Sequence, residues 1–400
     1  MRPARRIRVL HVITRMIVGG AQENTLLTAT RLDPARYDIT LASGPTIGPE
    51  GTLEPRIPGG LRFVRVPELV RDPHPIKDPV ALARLYGLVR AGRFDIVHTH
   101  TTKAGLLGRI AAICARVPVI VHTPHGHAFH GYLGTGGSSA LRIVERALTA
   151  RTTRVICLTD AERQDHLQLR IGAPEKFSVV HSGVDLERFR TPRGTPESAR
   201  RALGLPENVP LIGCVARLVP VKGVQHLLDA VPAVRAAVPG TTVVFVGDGP
   251  LRGSLQRTAA ARGLDRAVVF LGLRDDVPDI LPLFDVVALP SLNEGMGRAA
   301  VEALAAGRPV VGSRISGIQN VVADGETGIL VRPGDSEALA GAIVRCLRDL
   351  EGRRAMGARG QRSVDGYGID AMVEKIDQIY TALLAARSGP RSGERANSLV

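Results

Sequence analysis

Short apolar runs alternate with amphipathic helical stretches along almost all of the 400 residues, and this alternation constrains the fold more than any other feature. Before residue 190 the strand-like runs are Ile7–Ile13, Tyr37–Ala42, Leu61–Val66, Asp95–His98, Val117–His122, Arg154–Leu158 and Phe177–Val180. After residue 210 they are Leu211–Ala216, Thr242–Val246, Val268–Leu271, Val286–Leu289 and Pro309–Gly312. Strands separated by helices indicate βαβ units and parallel sheets with helices on both faces, so we predict an α/β fold.

A change of composition near residue 190 divides the chain into two series of strands and helices. Residues 188–209 are rich in Pro and Arg, which predicts a linker between domains at 1–187 and 210–368. Two domains agree with the length, because one domain usually has roughly 100–200 residues. Residues 369–386 predict a final amphipathic helix, and the polar residues 387–400 predict a disordered tail. Doubly wound sheets bind ligands beyond the carboxyl ends of their strands, so we expect the site residues in the loops that follow strands.

The net charge of +14 is concentrated in the first half of the chain. Residues 1–190 carry +11 and ten of the eleven histidines, whereas residues 191–400 carry +3. This excess indicates an anionic partner, which is nucleic acid, a phosphorylated small molecule or an anionic membrane surface, unless the arginines are merely solvated. Only 3% of the residues are aromatic, which disfavours single-stranded nucleic acid because its bases stack on aromatic side chains.

The cysteines and the lengths of the apolar segments predict a cytoplasmic location. The four cysteines lie in separate apolar segments without a CxxC pair, as expected for core residues in a reducing compartment. No apolar stretch approaches the roughly 20 residues that a membrane span needs. The apolar run near the amino terminus is too short for a signal peptide.

In each predicted domain, the loop after the first strand carries residues suited to phosphate: glycines in the first domain and cations in the second. Gly19 and Gly20 come after the first strand of the first domain, where a helix begins, and backbone N–H groups at such a turn can bind phosphate. Arg217 and Lys222 follow the first strand of the second domain. A forked guanidinium and a compact ammonium together suit a diphosphate, although two solvated surface cations would give the same pattern.

The segment 289–304, LPSLNEGMGRAAVEAL, carries two carboxylates around a glycine turn. Glu302 lies eight residues after Glu294, about two helical turns, so both carboxylates can project to one side. Gly295, Met296 and Gly297 form the turn and open backbone N–H groups at the helix start. This combination suits a molecule that has sugar hydroxyls beside a diphosphate.

Two features of the first domain suggest further contacts. His122, His125, His127 and His130 follow the fifth strand with spacing H-x2-H-x-H-x2-H, which leaves zinc binding open as an alternative. The loop 101–103 presents Lys103, and Arg109 follows it six residues later. These two cations suit an acceptor phosphate, although a solvated Lys103 fits the pattern equally well.

The segments quoted so far, taken together, resemble the retaining GT-B glycosyltransferases of family 4. EGMGRAAVEAL resembles the family's Glu-x7-Glu signature, and ARLVPVKG resembles its Arg…Lys diphosphate clamp. GGAQ, HTHTTKAGLLGRIAA, HTPHGHAFHG, VGDGP and GRPVVGSRISGIQNVVADGETGILV match its other blocks in the usual order. The resemblance covers about residues 6–385.

The resemblance implies a GT-B fold, which has two Rossmann-like domains facing a central cleft and a last helix that packs back on the first domain. It also implies a role for each matching residue. Arg217 and Lys222 would hold the donor diphosphate, Glu302 the ribose and Glu294 the transferred sugar. Gly19, Gly20 and the turn Gly295–Met296–Gly297 would supply N–H groups to the donor. His125 would contact the transferred sugar, while His127, His130, Lys103 and Arg109 would line the acceptor pocket.

The implied reaction is metal-independent transfer of a sugar with retention of its anomeric configuration. The acceptor hydroxyl attacks from the face that the nucleotide leaves, so the protein needs no nucleophile. No Asp-x-Asp pair occurs, which supports an enzyme without a metal or other cofactor. We expect a UDP-sugar donor and a lipid-linked or phosphorylated acceptor in cell-surface polysaccharide assembly, with reversible contact between the protein and the anionic inner face of the cell membrane.

Four alternatives remain. One is transfer to a soluble, small phosphorylated acceptor, and another is an epimerase or a phosphorylase on the same fold. A dinucleotide-dependent oxidoreductase is disfavoured because no G-x-G-x-x-G follows either domain's first strand. A basic nucleic-acid-binding protein is disfavoured by the scarcity of aromatic residues.

Overall fold

A computed structural model describes residues 5–46, 51–126 and 135–388, without the side chains of 135–140 and 388. The described chain divides into two compact units. The first unit contains residues up to Val180 together with those from Met372 onward, and the second unit is His181–Ala371. The last helix runs to Ser388, two residues into the predicted tail at 387–400. The rest of that predicted tail lies outside the described residues.

The first unit is built on a seven-stranded parallel sheet with strand order β3-β2-β1-β4-β5-β6-β7. Its strands are β1 (Ile7–Ile13), β2 (Tyr37–Ser43), β3 (Arg62–Arg65), β4 (Ile96–His100), β5 (Val119–Thr123), β6 (Arg154–Cys157) and β7 (Phe177–Val179). The order reverses between β1 and β4, which are hydrogen-bonded neighbours. The loops that leave these two strands therefore begin side by side, at the switch point where such sheets bind ligands.

Helices cover both faces of this first sheet. They are α1 (Gly20–Arg31), α2 (Lys77–Gly92), α3 (Thr102–Cys114), α4 (Thr135–Arg151), α5 (Asp160–Gln168) and, from the far end of the chain, the last helix (Ile369–Ser388). Residues of α2 and α3 form one core with Leu10 and Val97. A second core contains Val9 and other strand residues, and the last helix packs on it through Met372, Ile376 and Tyr380.

The second unit is built on a six-stranded parallel sheet with the order β10-β9-β8-β11-β12-β13. Its strands are β8 (Leu211–Val215), β9 (Thr242–Val246), β10 (Val268–Gly272), β11 (Val286–Leu289), β12 (Val310–Ser313) and β13 (Gly328–Val331). Its helices are α6 (Leu186–Arg190), α7 (Pro196–Ala202), α8 (Val224–Ala237), α9 (Arg252–Ala261), α10 (Val277–Ile280), α11 (Arg298–Ala305), α12 (Ser316–Gln319), α13 (Ser336–Arg348) and α14 (Leu350–Ser363). The last helix of the chain is α15. The switch point of this sheet lies between β8 and β11.

The predicted α/β fold with two doubly wound sheets is confirmed. Strand β13 and helix α14 were not predicted from the sequence. Residues 188–209, which predicted a linker, lie inside the second unit and contain α7. Among the described helices, none combines the length and the apolar character that crossing a membrane requires.

The contact of α15 with the first sheet gives a first prediction. Tyr380 is fully buried and its hydroxyl lies 2.6 Å from Nδ1 of His98. Replacing Tyr380 with Ala leaves a large cavity and unpairs His98, so we expect the free energy of unfolding of the first unit to fall by about 3–5 kcal/mol. Urea denaturation measures this loss. Tyr86→Ala is the control, because Tyr86 is 40% exposed on α2 and its loss should change the stability by about 0.5 kcal/mol or less. Equal effects of the two variants would contradict the packing described for α15.

Candidate active site

The loops that follow β8 and β11 bring a cation and a carboxylate together. Lys222 ends a 3-10 turn after β8, and Glu294 lies in the loop after β11. The ammonium of Lys222 donates to Oε1 of Glu294 at 2.5 Å, and both side chains are partly buried, with 22% and 16% exposed. The hydroxyl of Ser291 donates to the same oxygen at 2.9 Å. The switch point of the second sheet thus holds an ordered ion pair that solvent and ligands can reach.

Backbone contacts lock these two loops together. The N–H of Leu292 donates to the carbonyl of Val221 at 2.8 Å. Gly223 has φ of 60°, and a Cβ atom there would lie 2.0 Å from the carbonyl oxygen of Pro290. Only glycine combines this left-handed backbone with so close an approach. The relative position of Lys222 and Glu294 is therefore fixed by the backbone as well as by their charges.

The turn at 294–297 and the helix that follows it lie where the sequence predicts them, but the spacing between Glu294 and Glu302 is not a helical one. Helix α11 begins at Arg298, so Glu294 lies in the preceding loop and only Glu302 is helical. A helical offset of eight residues cannot relate the two carboxylates, since the chain between them is not continuously helical. Glu302 instead lies one turn from Arg298, with 3.7 Å between Oε1 and the nearer guanidinium nitrogen.

The glycine turn before α11 is held by the loop after β12. The N–H of Gly297 donates to the carbonyl of Gly317 at 2.9 Å. A Cβ atom on Gly317 would lie 2.4 Å from the carbonyl oxygen of Glu294, so glycine is required there too. Met296 is buried, and its sulfur accepts from the N–H of Ser182 at 3.2 Å. Gly295 lies between Glu294 and Met296 and completes the turn at the start of α11.

Arg217 lies in the loop after β8 with an exposed side chain. No carboxylate among the described residues forms an ion pair with it. Its backbone is fixed, because Leu218 donates its N–H to the carbonyl of Asp248 at 2.9 Å. A Cβ atom on Gly249 would lie 2.5 Å from the carbonyl oxygen of Leu218, so the VGDGP segment packs directly against this loop. Within the described part of the chain, the Arg217 guanidinium is thus uncompensated, and it stands on a hydrogen-bonded backbone in the same loop as Lys222.

In the first unit, the predicted phosphate turn lies at the start of a helix. Gly19 precedes α1 and Gly20 is its first residue, immediately after the loop that follows β1. No side chain caps this helix start. The first N–H groups of a helix have no acceptor within it and carry partial positive charge, so this turn is suited to an anion.

The histidines after β5 and their neighbours form a buried cluster. His125 follows β5 with φ of 61°, and its Nε2 lies 3.0 Å from Nδ1 of His100 at the end of β4. His122 is 2% exposed and its Nδ1 contacts Thr99 on the neighbouring strand at 2.9 Å. Burial lowers the pKa of His122 well below its usual value, so that side chain is neutral. His127 and His130 lie outside the described residues.

Three other histidines among the described residues lie close enough to one another to share a metal. Ligand nitrogens of His11, His98 and His100 lie within 4.8 Å of one another, and all three side chains are buried. However, both nitrogens of His98 already contact Tyr380 and Thr123, at 2.6 and 2.8 Å. His11 and His100 hydrogen-bond to each other at 2.9 Å. The cluster is therefore a hydrogen-bonded network in this structure.

The predicted acceptor contact of Arg109 is wrong, because its side chain is fully buried. Its two terminal nitrogens donate to the two carboxylate oxygens of Glu145 at 2.6 and 2.7 Å, and its Nε donates to the carbonyl of Gly105 at 2.7 Å. The guanidinium is thus enclosed within the first unit. Lys103 is mostly buried and forms an ion pair with Asp78 of α2, so its charge is compensated. Its acceptor contact stays a prediction.

Three residues that were not singled out in the sequence hold this region in place. Glu162 of α5 is fully buried and accepts from the N–H of Gly126 at 3.0 Å, which fixes the loop that carries His125. His11 and His100 form the chain that reaches His125. Both lie at or near the carboxyl ends of central strands, which is a signal that the sequence contained, whereas nothing in the sequence linked Glu162 to Gly126.

Comparison with known families decides the class of the protein. Residues 18–188 match the model described as Glycosyltransferase Family 4, and residues 209–349 match that of Glycosyl transferases group 1. A galactosyltransferase from Escherichia coli is 32% identical over 378 residues, which are 94% of this chain and 97% of that protein. The chain belongs to glycosyltransferase family 4. This membership favours glycosyl transfer over the oxidoreductase and nucleic-acid-binding alternatives.

The names of the relatives state two kinds of acceptor. The E. coli enzyme is named UDP-Gal:alpha-D-GlcNAc-diphosphoundecaprenol alpha-1,3-galactosyltransferase. A D-inositol 3-phosphate glycosyltransferase from Corynebacterium urealyticum is 34% identical over 80% of this family 4 chain and 78% of its own. The crystal structure of Anabaena HepE with UDP-glucose is similar with a TM-score of 0.80, 25% identity, and coverage of 94% of this chain and all of that one. The GT-B fold of the family 4 chain is thereby confirmed.

The Arg109–Glu145 pair gives a second prediction. Removing one member of the pair leaves the other charge buried and unpaired, so Glu145→Leu should lower the free energy of unfolding by about 3–5 kcal/mol. Combining it with Arg109→Met removes both charges, and the double variant should regain most of the lost stability. Denaturation of the two single variants and the double variant measures the coupling. Additive losses would contradict a closed pair and restore a solvent-facing role for Arg109.

Proposed function

We propose that this family 4 glycosyltransferase transfers a sugar from a nucleotide-diphosphate donor, with UDP as the nucleotide. The ion pair between Lys222 and Glu294 carries the proposal. This pair places a cation and a carboxylate, which accepts hydrogen bonds from hydroxyl groups, side by side at the switch point of the second sheet. A sugar diphosphate needs both groups within a few ångströms, because its phosphate is anionic and its adjacent sugar is rich in hydroxyls.

Each residue of the second unit would then have one task. Lys222 and Arg217 bind the diphosphate and stabilise the charge that it gains as the glycosidic bond breaks. Glu294 accepts hydrogen bonds from the transferred sugar, and Glu302 accepts them from the ribose. The N–H groups of the turn at Gly295, Met296 and Gly297 bind donor oxygens. The rigid loops support this assignment, since positioning contributes only when the groups are held before the substrate arrives.

The residues of the first unit have roles that rest on resemblance. Gly19 and Gly20 would offer N–H groups to phosphate, and His125 would contact the transferred sugar. Lys103, His127 and His130 would contribute to the acceptor pocket. The helix start at Gly20 and the fixed position of the His125 ring support the first two roles.

We further propose that the reaction retains the anomeric configuration and needs no metal or other cofactor. The two cations would replace a metal at the leaving diphosphate. The E. coli relative uses UDP-Gal, an α-glycoside, and its name states an alpha-1,3 linkage, which supports retention. Proton NMR of the anomeric signal in the first product formed determines the configuration, and an inverted signal would contradict retention.

The donor site gives a third prediction. A donor present at 100 times its dissociation constant should stabilise the folded protein by about 2.7 kcal/mol, and this should persist in EDTA if no metal participates. Arg217→Met or Glu302→Ala should weaken donor binding roughly 10–100-fold, because each removes a hydrogen bond that involves a charged group. Thermal shifts and donor hydrolysis across a panel of nucleotide sugars measure both effects.

Matched variants control for general damage to the second unit. Arg257→Met and Glu337→Ala change exposed residues of the same type on α9 and α13, and both should bind the donor normally. No stabilisation by any nucleotide sugar would contradict the proposed function. Stabilisation that disappears in EDTA would contradict only the metal-independent mechanism.

We propose that the acceptor is a lipid-linked sugar diphosphate of cell-surface polysaccharide assembly. The E. coli relative, whose name states such an acceptor, aligns over almost the full length of both chains. The basic first half of the chain agrees with an anionic acceptor. The second candidate is a small soluble phosphorylated acceptor, as the name of the C. urealyticum relative indicates. Product formation with a short-chain polyprenyl diphosphate-linked sugar, compared with inositol phosphate, distinguishes the two.

A lipid-linked acceptor requires the enzyme to reach a membrane from the cytoplasm, and we propose that helix α2 makes this contact. Ile76 is 71% exposed at the start of α2, and Val80, one turn later, is 39% exposed. Lys77 and Arg90 are exposed on the same helix, and Arg71 is exposed just before it. Exposed apolar residues among cations favour an anionic lipid surface, where each nearby cation contributes about 1 kcal/mol.

The membrane contact gives a fourth prediction. Wild-type protein should bind vesicles that contain anionic lipid, and raised salt should weaken this binding because the cations are screened. The double substitution Ile76→Ser and Val80→Ser should reduce binding roughly tenfold or more, since it removes the apolar side chains that enter the lipid. Vesicle flotation measures both effects. Leu350→Ser, at a 45% exposed leucine of the second unit, should bind normally. Binding that neither salt nor the double substitution changes would contradict this surface.

A further inference from the structure

Three arginines and one aspartate of the second unit lie near the amino ends of its central strands. Asp285 comes directly before β11, and Arg308 lies two residues before β12 begins. Arg200 on α7 and Arg353 on α14 complete this arginine group. The paired strands of this sheet are parallel, so their amino ends lie at the edge opposite to the loops of the candidate active site.

A close contact of helix α14 brings two of these arginines to the same place. A Cβ atom on Gly357 would lie 2.1 Å from the carbonyl oxygen of Gly307 and 3.7 Å from the backbone nitrogen of Arg308. Arg353 lies four residues before Gly357, so both residues are on the same side of α14. The side of the helix that contacts the turn before β12 is therefore the side that carries Arg353.

The carboxylate of the arginine group already has two partners. Oδ2 of Asp285 accepts from the N–H of Leu211 at 2.9 Å, and Oδ1 lies 3.0 Å from a guanidinium nitrogen of Arg353. Both side chains of this ion pair are mostly buried, with 15% of Arg353 and 22% of Asp285 exposed. The negative charge of Asp285 is therefore engaged by Arg353 and by the start of β8.

Arg200 adds a positive charge without adding a negative one. Its terminal nitrogens donate to backbone carbonyl oxygens at 3.0–3.4 Å, which are those of Pro206, Val209 and Leu283. Guanidinium groups stay charged in proteins. The arginine group thus contains three positive charges and one negative charge.

Arg308 has no ion-pair partner in the described part of the chain, and its side chain is partly buried. Its Nε is enclosed and makes no hydrogen bond there, whereas its two terminal nitrogens are open to solvent. Burial lowers the pKa of Arg308, Asp285 raises it, and the positive charges of Arg353 and Arg200 lower it again. All three neighbours are therefore close enough to act on Arg308. Two like charges near a partly buried cation are unfavourable unless an anion compensates for them.

We propose that the arginine group binds a phosphate-type oxyanion through the solvent-facing terminal N–H groups of Arg308. A guanidinium presents its N–H groups in a planar fork that matches two oxygens of such an anion. Arg200 and Arg353 contribute further positive charge, and the anion offsets the repulsion among the three arginines. The ligand is inorganic phosphate or the phosphoryl group of a larger molecule. This site is additional to the proposed donor and acceptor sites and stands independently of the proposed function.

Calorimetric titration of the complete protein with inorganic phosphate, in a chloride buffer of constant ionic strength, tests the site. We expect saturable phosphate binding by the wild-type protein. Arg308→Met should weaken this binding about 10–100-fold, because hydrogen bonds to a charged group are lost. Arg308→Lys should have an intermediate affinity, since it keeps the charge but loses the planar fork.

Two further variants separate anion binding from a structural role of these residues. Asp285→Asn should bind phosphate roughly tenfold more tightly, because it removes the negative charge of the group while its amide oxygen can still accept from Leu211. Arg354→Met is the matched control, since Arg354 is exposed on α14 next to Arg353, and it should bind phosphate normally. If Arg308→Met fails to fold, Arg308→Lys and Asp285→Asn still test the site.

UDP distinguishes this site from the proposed donor site. Phosphate should bind with unchanged affinity in the presence of saturating UDP and in the Lys222→Met variant, because the proposed donor contacts lie at the other edge of the sheet. Loss of phosphate binding in either case would place the phosphate at the donor site and overturn this inference. If UDP does not bind while phosphate binding depends on Arg308, the proposed function fails and this site stands.

Comparison of inorganic phosphate with glycerol phosphate distinguishes the two sources of the ligand. Similar affinities indicate free phosphate, whereas an affinity for the ester that is roughly tenfold higher or more indicates a phosphorylated molecule. Both results support the site. Equal phosphate binding by wild type, Arg308→Met and Arg354→Met, or the lack of saturable binding by wild type, would overturn the proposal.

Discussion

Parallel pairing of the central strands is the constraint on which both candidate regions depend. Because β8 and β11 run in the same direction and are neighbours, the loops that leave them begin side by side. Lys222 and Glu294, 72 residues apart, meet for this reason. The pairing of β1 with β4 does the same in the first unit, where it places His11 beside His98 and within reach of His100. Glycines such as Gly223 and Gly317 then allow the loops to approach closely enough to fix these side chains.

Most of the fold could be predicted, because strands buried on both faces are recognisable as apolar runs. The edge strand β13 was missed since its four residues begin with glycine and carry only three apolar side chains. Helix α14 was missed for a different reason. It packs through Gly357, where a Cβ atom would lie 2.1 Å from the carbonyl oxygen of Gly307, and through Gly360 against Leu304. A helix that packs through glycines shows little apolar periodicity.

The candidate site could be predicted only as far as loops and residue types. Arg217, Lys222 and Glu294 were recognised because they follow strands in a known pattern, and such a pattern can be read without knowing any distance between atoms. The partner of a side chain can be identified only from those distances. Arg109 looked available until Glu145, 36 residues later, was found to bind it in the interior. Likewise, the eight residues from Glu294 to Glu302 do not amount to two helical turns, because the helix begins only at Arg298.

The first unit is assembled from two segments that are separated by the whole second unit. Synthesis on the ribosome proceeds from the amino terminus, so the sheet that contains Val9 and Tyr37 emerges long before Met372, Ile376 and Tyr380, which cover it. During this interval the apolar face of the sheet lacks its native cover. The second unit, a single continuous segment, can complete its fold first. The nascent chain therefore exposes this apolar face until α15 (Ile369–Ser388) is made, and a ribosome stalled before α15 would present an incomplete first unit to chaperones.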